Sequence, residues 1–429
     1  MAAMKIDASQ HRRVRFLILA GILVREFFSF WTGHPTDFEL WVRLGYWMNH
    51  GGNPYGVLPA VPGLSFSTAF SYLTGPTIAY LPFWPLVTGG IYAFYSLLGV
   101  SNRFLYYFLL KQPIIFGDVL LAYLLYRYAS SRKNGSAAGW VLSFWLFSPF
   151  TIILSAIWGM FDSLAMAFVF MSILATNRAG KSIWSGLATF AKSIPIIYTA
   201  PLTVRNRKDV WATVLALITP TVLSIVTFAV MGWPISTISA SLESAAAKGW
   251  WSMSFWDLAF YLNFLGAFPT LSRIDYTILG LIWIPAIIIF TIIGYKRYRA
   301  DTDYGLIQVL IIVTLTFLIF KARVAEQYAI YLLALGAVDV ALWNPKRKRL
   351  LYGTLVTALL YLVLNNFFLV RFLSPIYPGF ADFENMMINW IGPTRFALSF
   401  LLGTIFTFLN LLYLANILRP TSRGVDRVG

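Results

Sequence analysis

The sequence predicts an all-α polytopic membrane protein, and three observations support that fold class. Hydrophobic residues make up 59% of the chain and charged residues 12%, whereas soluble domains average about 45–50% and about 25%. Apolar runs close to the ~20 residues that cross a hydrocarbon core recur from one end of the chain to the other. Many of the 16 Trp and 23 Tyr residues stand beside the ends of these runs, as in the interfacial belts of membrane proteins.

Composition also excludes several kinds of site. The chain has no cysteine, which rules out disulfides, thiolate metal ligands and a cysteine nucleophile. Its 3 histidines make a histidine-built metal centre a poor interpretation. The net charge of +16 does not indicate a nucleic-acid partner, because basic membrane proteins carry such an excess on their cytoplasmic loops.

The spans follow from the apolar runs. The first is predicted over about 16–31 and is retained, because the run is long for a signal core and no small-x-small cleavage pattern follows it. The stretch 71–99 is apolar enough to cross, which would put Arg127, Arg132 and Lys133 outside. It is placed instead in the outer interface or as a re-entrant segment, which keeps these residues on the cytoplasmic side. The chain then has about 11–12 transmembrane helices, the later ones predicted at roughly 104–126, 140–156, 163–176, a half-depth pair at 183–191 and 194–204, 210–231, 276–295, 305–320, 325–342, 350–370 and 393–418.

This topology places two thirds of the 33 Lys and Arg residues in cytoplasmic segments. Acids elsewhere balance the remaining cations, so the positive-inside rule accounts for the whole excess charge. The charges outside the cytoplasmic segments are therefore the ones that carry functional information.

We expect one membrane domain over 1–429. A module over 14–231 contains a long external first loop, 32–103, with interfacial helices. A second external loop covers 232–275 and includes a tryptophan pair at 250–251. The helices over 276–418 complete the substrate site.

Asp37 and Glu39 stand two residues apart just after the first span. An external Asp-x-Glu pair suits a general base with a helper or a divalent-cation site of hard oxygen ligands. Two solvated loop acids are the alternative, and the spacing alone does not separate these interpretations.

Other charged residues have two interpretations each. Asp162 in WGMFDS is either a substrate contact or the N-cap of the following helix. Lys321 and Arg323, near Glu326, suit a phosphate or carboxylate, or reach from a helix end to lipid headgroups. Lys192 lies between two segments too short to span singly, which favours a place in a polar cavity.

Four charged residues in the first two long spans favour structural pairing. Lys111 and Asp118 lie two turns apart in one predicted helix, and Arg25 and Glu26 lie in the first span. Charges inside a membrane commonly pair with one another, so Asp118 and Lys111 are expected to pair either with each other or with Arg25 and Glu26.

Six segments, taken in order, resemble the GT-C superfamily of polytopic glycosyltransferases that use polyprenyl-phosphate sugars. The resemblance is strongest to the dolichyl-phosphate-mannose-dependent mannosyltransferases, above all the catalytic subunit of glycosylphosphatidylinositol mannosyltransferase I. It covers most of residues 14–340 and is carried by TDFELW at 36–41, GGNPYG at 51–56, KQPIIFGDVLLAYLLYR at 111–127, SPFTIILSAIWGMFDSLAMA at 148–167, AKSIPIIY at 191–198 and KARVAEQYAIYLL at 321–333.

The resemblance implies an inverting transfer of a hexose, most simply mannose, from a dolichyl- or polyprenyl-phosphate sugar to a lipid-linked glycan or glycolipid acceptor on the external or lumenal side. It assigns Asp37 as the catalytic base, with Glu39 as a supporting acid or metal ligand. The donor-binding residues expected are Lys192, Lys321, Arg323, Gln327 and Tyr328, and the acceptor or sugar contacts are Asp162, Glu326 and Trp41.

The chain departs from the family pattern at two points: Asp-x-Glu replaces the common Asp-x-Asp, and Met-Phe-Asp-Ser stands where the glycosylphosphatidylinositol branch has Gly-Asn-Ala-Asp/Glu-Ser. No cofactor is required, although a divalent cation, Mg or Mn, is compatible with Asp37 and Glu39. The partners expected are the lipid donor, the acceptor and membrane lipids, without nucleic acid. The absence of cysteine and the compact length favour a prokaryotic protein of archaeal and thermophilic type, which would lie in the cell membrane, whereas a eukaryotic relative would lie in the ER membrane.

Two other classes compete with the enzyme. A secondary transporter or lipid flippase also has a polar cavity, but such proteins carry matching broken helices in internal repeats. This chain has one broken hairpin, at 183–204, and no convincing repeat. A non-catalytic scaffold does not explain Lys321, Arg323 and Glu326 at a span boundary.

Overall fold

The structure is a computed structural model, and it describes residues 8–67, 78, 80–132, 135–204, 209–237, 252–256, 258, 281–380 and 383–419. All regular elements in these ranges are helical. The tryptophan pair at 250–251 and most of the predicted loop 232–275 lie outside the described residues.

The N-terminal half contains ten α-helices and a π-helix within the described ranges. The α-helices are α1 (Ala8–Ser29), α2 (Asp37–Asn49), α3 (Phe83–Leu97), α4 (Arg103–Ser130), α5 (Gly135–Leu146), α6 (Pro149–Ile152), α7 (Asp162–Leu174), α8 (Arg178–Ala191), α9 (Thr199–Thr203) and α10 (Val210–Met231). The π-helix covers Ile153–Trp158, directly after α6, and a 3-10 turn covers Ile194–Tyr198 before α9.

The C-terminal half continues with helices that match the later apolar runs. They are α11 (Trp283–Arg297), α12 (Asp303–Phe320), α13 (Ala329–Leu342), α14 (Lys348–Asn365) and α15 (Phe383–Leu418). Short 3-10 segments lie at Glu326–Tyr328, Pro345–Arg347, Phe367–Leu373 and Pro378–Phe380.

Four of the described helices are long and apolar enough to cross a membrane: Arg103–Ser130, Val210–Met231, Asp303–Phe320 and Thr394–Leu418. Two bent pairs raise the number to 6 if each is one span. They are 135–158, bent by 46°, and 345–373, bent by 62°. The prediction of an all-α polytopic membrane protein is confirmed, while the number of 11–12 spans stays a prediction.

Helix bounds agree with the predicted spans within a few residues at most positions. In the stretch 71–99, the helical part is α3, which has 15 residues and packs on α2, α4 and α8. The half-depth pair is seen as α8 followed by the 3-10 turn and the short helix α9. The irregular backbone between them begins at Lys192, as the sequence predicts.

A buried ion pair connects the helices below the first loop. Arg25 Nε donates to Asp118 Oδ2 at 2.6 Å, and neither side chain is exposed. The same carboxylate accepts from Trp145 Nε1 at 3.0 Å, Ser155 Oγ at 3.1 Å and Ser163 Oγ at 2.6 Å. These donors satisfy the Asp118 carboxylate and join α1, α4, α5, the π-helix and α7, which confirms the predicted pairing of Arg25 with Asp118.

The predicted ion pairing of Lys111 is wrong. Lys111 has no exposed surface and forms no salt bridge within the described part of the chain. Its Nζ donates instead to the carbonyl oxygens of Thr32 and Ala156, both at 2.6 Å, and to Thr32 Oγ1 at 2.9 Å. Glu26 accepts from Ser29 and Gln112 rather than from a cation.

The Lys111 contacts have an electrostatic cause. Thr32 follows α1, and Ala156 lies in the last turn of the π-helix, so both carbonyls belong to helix C-terminal ends whose backbone acceptors lack intrahelical donors. The negative end of each helix dipole favours a cation there. Lys111 therefore holds the C-terminal ends of two helices beside the first loop.

Gly159 ends the π-helix in the left-handed conformation, with φ of 93°. A Cβ atom at this position would lie 2.6 Å from the Phe38 ring, so glycine is needed both for its backbone angle and for the close approach. The resulting turn brings Trp158 next to the start of α2. π-helical turns are often found at functional sites.

Candidate functional site

Asp37 is the first residue of α2, where the positive end of the helix dipole favours a carboxylate. Its side chain is 33% exposed. Trp158 Nε1 donates to Asp37 Oδ2 at 2.9 Å. Burial raises the pKa of Asp37 above the usual aspartate value, while the Trp158 hydrogen bond and nearby Lys192, Arg323 and Arg371 lower it.

His34 supports the start of α2 as a neutral side chain. Its Nδ1 accepts from the backbone N–H groups of Thr36 and Asp37, both at 3.2 Å, which places the ring proton on Nε2. Burial, followed by the charge of Arg371, holds the pKa of His34 well below its usual value. The 3.5 Å approach of Nδ1 to Asp37 Oδ2 is therefore not an ion pair.

An aromatic stack positions the donor of the Asp37 hydrogen bond. The His34 and Trp158 rings lie 4.8 Å apart and nearly parallel, at 19°. The Phe372 ring contacts both of them, and the Phe372 carbonyl accepts from the backbone N–H of Gly33 at 2.8 Å. Segments from three parts of the chain thus hold the Asp37 carboxylate in place.

Lys192 and Asp162 form a buried ion pair. Lys192 Nζ donates to Asp162 Oδ2 at 2.6 Å, with side chains 2% and 0% exposed. Tyr331 Oη donates to Asp162 Oδ1 at 3.4 Å. Asp162 is the first residue of α7, whose N-cap is Phe161, so the alternative of Asp162 as an N-cap is wrong by one residue.

Glu39 points away from Asp37 into the first loop. Arg43 Nε donates to Glu39 Oε1 at 2.6 Å, and the backbone N–H of Phe66 donates to Oε2 at 2.9 Å. Arg43 also donates to the carbonyls of Leu58 and Ser67. Glu39 is completely buried, and its pairing with Arg43 ties α2 to the segment that follows it.

The geometry does not fit the metal site suggested by Asp37 and Glu39, because both oxygens of Glu39 already accept hydrogen bonds. Among the described residues, no group of three or more His, Cys, Asp or Glu side chains could hold a metal ion. We therefore assign no chemical step to a metal.

Trp41 and Tyr80 belong to an aromatic cluster beside Lys192. Trp41 is 1% exposed and donates from Nε1 to the Gly159 carbonyl at 3.1 Å, so it forms a wall behind the site. Tyr80 is half-buried, and its ring lies 5.5 Å from Lys192 Nζ. Burial keeps the pKa of Tyr80 well above its usual value, and the nearby charges of Asp37 and Asp162 raise this pKa further. The phenol therefore keeps its proton and remains a hydrogen-bond donor.

The later motif lies around a boundary between helices. The positive charge of Arg323 is near enough to Asp37, Tyr80 and Tyr328 to lower the pKa of each of these groups. Glu326 is 7% exposed and accepts a hydrogen bond from Asn365. These contacts bring the 321–333 segment and the end of α14 to the same region as Asp37.

Two further residues of that motif have different settings. Gln327 is buried, 7% exposed, next to Glu326. Lys321 lies 5.3 Å from the Trp283 ring centroid, and burial, followed by the charge of Arg323, lowers its pKa. Lys321 therefore lies close to Arg323 and against the Trp283 ring of α11.

The structure therefore brings together residues from distant segments. In one group of charged and phenolic side chains, each residue is close enough to at least one other to shift its pKa or to have its own pKa shifted: Asp37, Tyr80, Asp162, Lys192, Arg323, Glu326 and Tyr328. Glu39 and Trp41 are occupied by structural hydrogen bonds instead. Sequence reasoning missed Trp158, His34, Tyr80 and Arg371 as site residues. Trp158 lies in the motif WGMFDS and His34 in HPTDFELW, so the sequence signal for both is their place in the same short motifs as Asp162 and Asp37.

The helices and this site define a multi-pass membrane protein with a half-buried carboxylate among cations and aromatic side chains. No protein-family model matches the chain, and no curated protein matches it either. Among solved structures, the chain is similar to the crystal structure of ArnT from Cupriavidus metallidurans bound to undecaprenyl phosphate. The TM-score is 0.47 and the identity 13%, over 92% of this chain and 76% of that chain. At this degree of similarity the function has to be inferred from the residues of the site.

Proposed function

We propose that the protein is a GT-C glycosyltransferase that moves a hexose, most simply mannose, from a dolichyl- or polyprenyl-phosphate sugar to a lipid-linked glycan or glycolipid on the external side of the membrane. The observation that supports this most is the setting of Asp37. Its carboxylate is partly accessible, has a pKa raised by burial, and lies within range of Arg323 and Arg371.

The reaction that suits this setting is a displacement with inversion. Asp37 takes the proton of the acceptor hydroxyl while that oxygen forms a bond to the anomeric carbon. The bond from the anomeric carbon to the phosphate oxygen breaks, and its electron pair stays on the polyprenyl phosphate. A base with a raised pKa is better matched to this proton transfer near neutral pH than an ordinary aspartate.

The leaving phosphate gains negative charge during this step, and cations stabilise that charge when they are positioned in advance. Arg323 and Arg371 suit this role because guanidinium groups bind phosphate oxygens bidentately. The charge of Lys192 is already paired with Asp162, so we assign this pair to shaping the sugar pocket. Lys321, Gln327, Tyr328 and Glu326 complete the proposed donor and acceptor contacts.

A donor panel tests the proposal. The purified protein is given radiolabelled polyprenyl-phosphate mannose, polyprenyl-phosphate glucose and, as a control, a nucleotide mannose, each with extracted glycolipids as acceptors. We expect a labelled glycolipid from a polyprenyl-phosphate sugar and none from the nucleotide sugar. A secondary transporter or lipid flippase would instead move the intact lipid across reconstituted vesicles without forming a new glycosidic bond, which would refute the proposed transferase.

A further inference from the structure

A cavity lies at the N-terminal end of α14, far from Asp37. It has a volume of about 660 Å³ and is lined by Pro345, Lys346, Lys348, Arg349 and Tyr352. We call it the basic pocket. Three of the five lining residues are cations, none is an acid, and Lys346, Lys348 and Arg349 are all exposed. Within the described part of the chain, no salt bridge neutralises these three charges.

A buried network gives the basic pocket a rigid base. Arg347, in the middle of the cationic run, turns inward and donates to Asp339 Oδ2 at 3.0 Å and to Gln308 Oε1 at 2.6 Å. Gln308 donates to Asp339 Oδ1 at 2.6 Å, and Asn344 donates to the same oxygen at 2.7 Å. Because Arg347 is fixed to α12 and α13, its neighbours Lys346 and Lys348 are held at the surface.

Aromatic side chains form one wall beside the cations. Lys348 Nζ lies 5.5 Å from the Trp140 ring centroid and 5.7 Å from that of Tyr352. Trp140 stacks on Phe144 at 5.2 Å, and Phe144 meets the Tyr352 ring edge-on at 5.8 Å. Trp and Tyr beside Lys at the end of apolar helices are typical of the level of lipid headgroups.

An apolar stripe leads away from the basic pocket along the same face of α14. Tyr352, Val356 and Leu360 follow Lys348 at intervals of four residues, which places them one above another on a helix. They are 37%, 50% and 50% exposed. The surface thus offers cations and aromatic rings at one end and a bare hydrocarbon face directly below them.

The basic pocket and Asp37 lie at opposite ends of α14. The helix has 18 residues and is therefore about 27 Å long. Its C-terminal residue Asn365 donates to Glu326 in the candidate site. The segment 345–373 is one of the bent pairs long and apolar enough to cross a membrane. As a single span, it places the basic pocket on the side of the membrane opposite Asp37.

We propose that the basic pocket binds an anionic phospholipid, with the phosphate among Lys346, Lys348 and Arg349 and an acyl chain along Tyr352, Val356 and Leu360. Basic pockets at the membrane surface attract anionic headgroups. The adjoining stripe accounts for the lipid part of the ligand, which a soluble phosphate lacks. The site is independent of the transfer reaction, and its test does not require transferase activity.

Native mass spectrometry tests this binding on the full chain, titrated in detergent with dioleoylphosphatidylglycerol or with dioleoylphosphatidylcholine. We expect one tightly bound phosphatidylglycerol and much weaker phosphatidylcholine. Each cation near a membrane surface strengthens such binding about fivefold, so the combined change of Lys346→Gln, Lys348→Gln and Arg349→Gln weakens it on the order of 100-fold. These side chains are exposed, and single variants each give about a fivefold loss if the triple variant is unstable.

A charge-matched control separates this site from general attraction. Arg12, Arg13 and Arg15 are exposed near the start of α1, and changing all three to Gln removes the same charge elsewhere. We expect this control to bind phosphatidylglycerol like the unmodified protein. Equal loss in the control, equal binding of phosphatidylcholine, or full competition by glycerol 3-phosphate would each overturn the proposed lipid site.

Discussion

Trp158 Nε1 donates a 2.9 Å hydrogen bond to Asp37 Oδ2 across 121 positions of sequence. The contact joins the first loop to the end of the π-helix and orients the carboxylate that we propose as the base. An N–H donor stabilises the charged form of a carboxyl group and so lowers its pKa, which opposes the effect of burial at Asp37. This bond therefore links the geometry of the site to its pH response.

The transfer rate should depend on the ionisation of Asp37. A base acts when deprotonated, so activity rises with pH through the Asp37 pKa, which burial places above the usual aspartate value. Acidification should thus inactivate the enzyme at a higher pH than an ordinary aspartate would require. Measuring kcat/KM against pH checks this expectation.

Trp158→Phe tests the direction in which this hydrogen bond shifts the pKa of Asp37. Losing the donor removes an influence that lowers the Asp37 pKa, so the acidic limb of the pH profile should move to higher pH. Trp47→Phe is the control, because Trp47 Nε1 donates to the Pro59 carbonyl in the same loop. A shift to lower pH, or the same shift in both variants, would contradict the assignment of Asp37 as the titrating base.

Lys111→Met should loosen the first loop without changing the charged site directly. The substitution leaves the buried Thr32 carbonyl without its donor, at a cost of about 1–3 kcal/mol, and leaves the Ala156 carbonyl with only the Thr32 hydroxyl as donor, at 3.2 Å. Hydrogen exchange should rise in segments 31–37 and 153–158 and stay unchanged in α12. Lys296→Met, at an exposed position, serves as control, and unchanged exchange in the Lys111 variant would refute this structural role.

Arg323→Gln should weaken use of the lipid-phosphate donor. If Arg323 stabilises the leaving phosphate, its loss lowers kcat/KM on the order of 100-fold, as for other preorganised groups at developing negative charge. Steady-state kinetics with a varied donor concentration measures the effect. Arg12→Gln, at an exposed position near the start of α1, is the control. A rate equal to that of the unmodified enzyme would remove Arg323 from the donor site.

Chelation tests the role of a divalent cation. Both oxygens of Glu39 are engaged by Arg43 and Phe66, so we expect transfer to persist in EDTA. The assay compares initial rates with EDTA, with EDTA followed by excess Mg, and with neither. Loss of activity that Mg or Mn restores would show that the site uses a metal after all.

Local patterns predicted much of the fold. Apolar runs located α4, α10 and α12 because a span has to be apolar along nearly its whole length. The broken hairpin at Lys192 was also visible, since its two apolar segments were too short to cross singly. Because these features depend only on residues that are close together in the sequence, local composition is sufficient to recognise them.

The pairing within the site depends on distant residues and was harder to predict. Asp162 as the partner of Lys192, and Arg371 beside Asp37, follow from how the helices pack. Glu39 is a different case, because Arg43 stands four residues later on the same helix, and that spacing favours a pair. This signal was present in the sequence and indicated a structural role for Glu39.

Asp37→Asn tests the central claim most directly. The measurement is sugar transfer from polyprenyl-phosphate mannose by the purified variant, with Asp301→Asn as control because Asp301 pairs with Arg299 at an exposed position. We predict a fall of at least about 100-fold for Asp37→Asn, as expected on loss of a general base, with unchanged expression, unfolding temperature and donor binding, and full activity for the control. Full turnover by a correctly folded Asp37→Asn protein would contradict the assignment of Asp37 as the catalytic base.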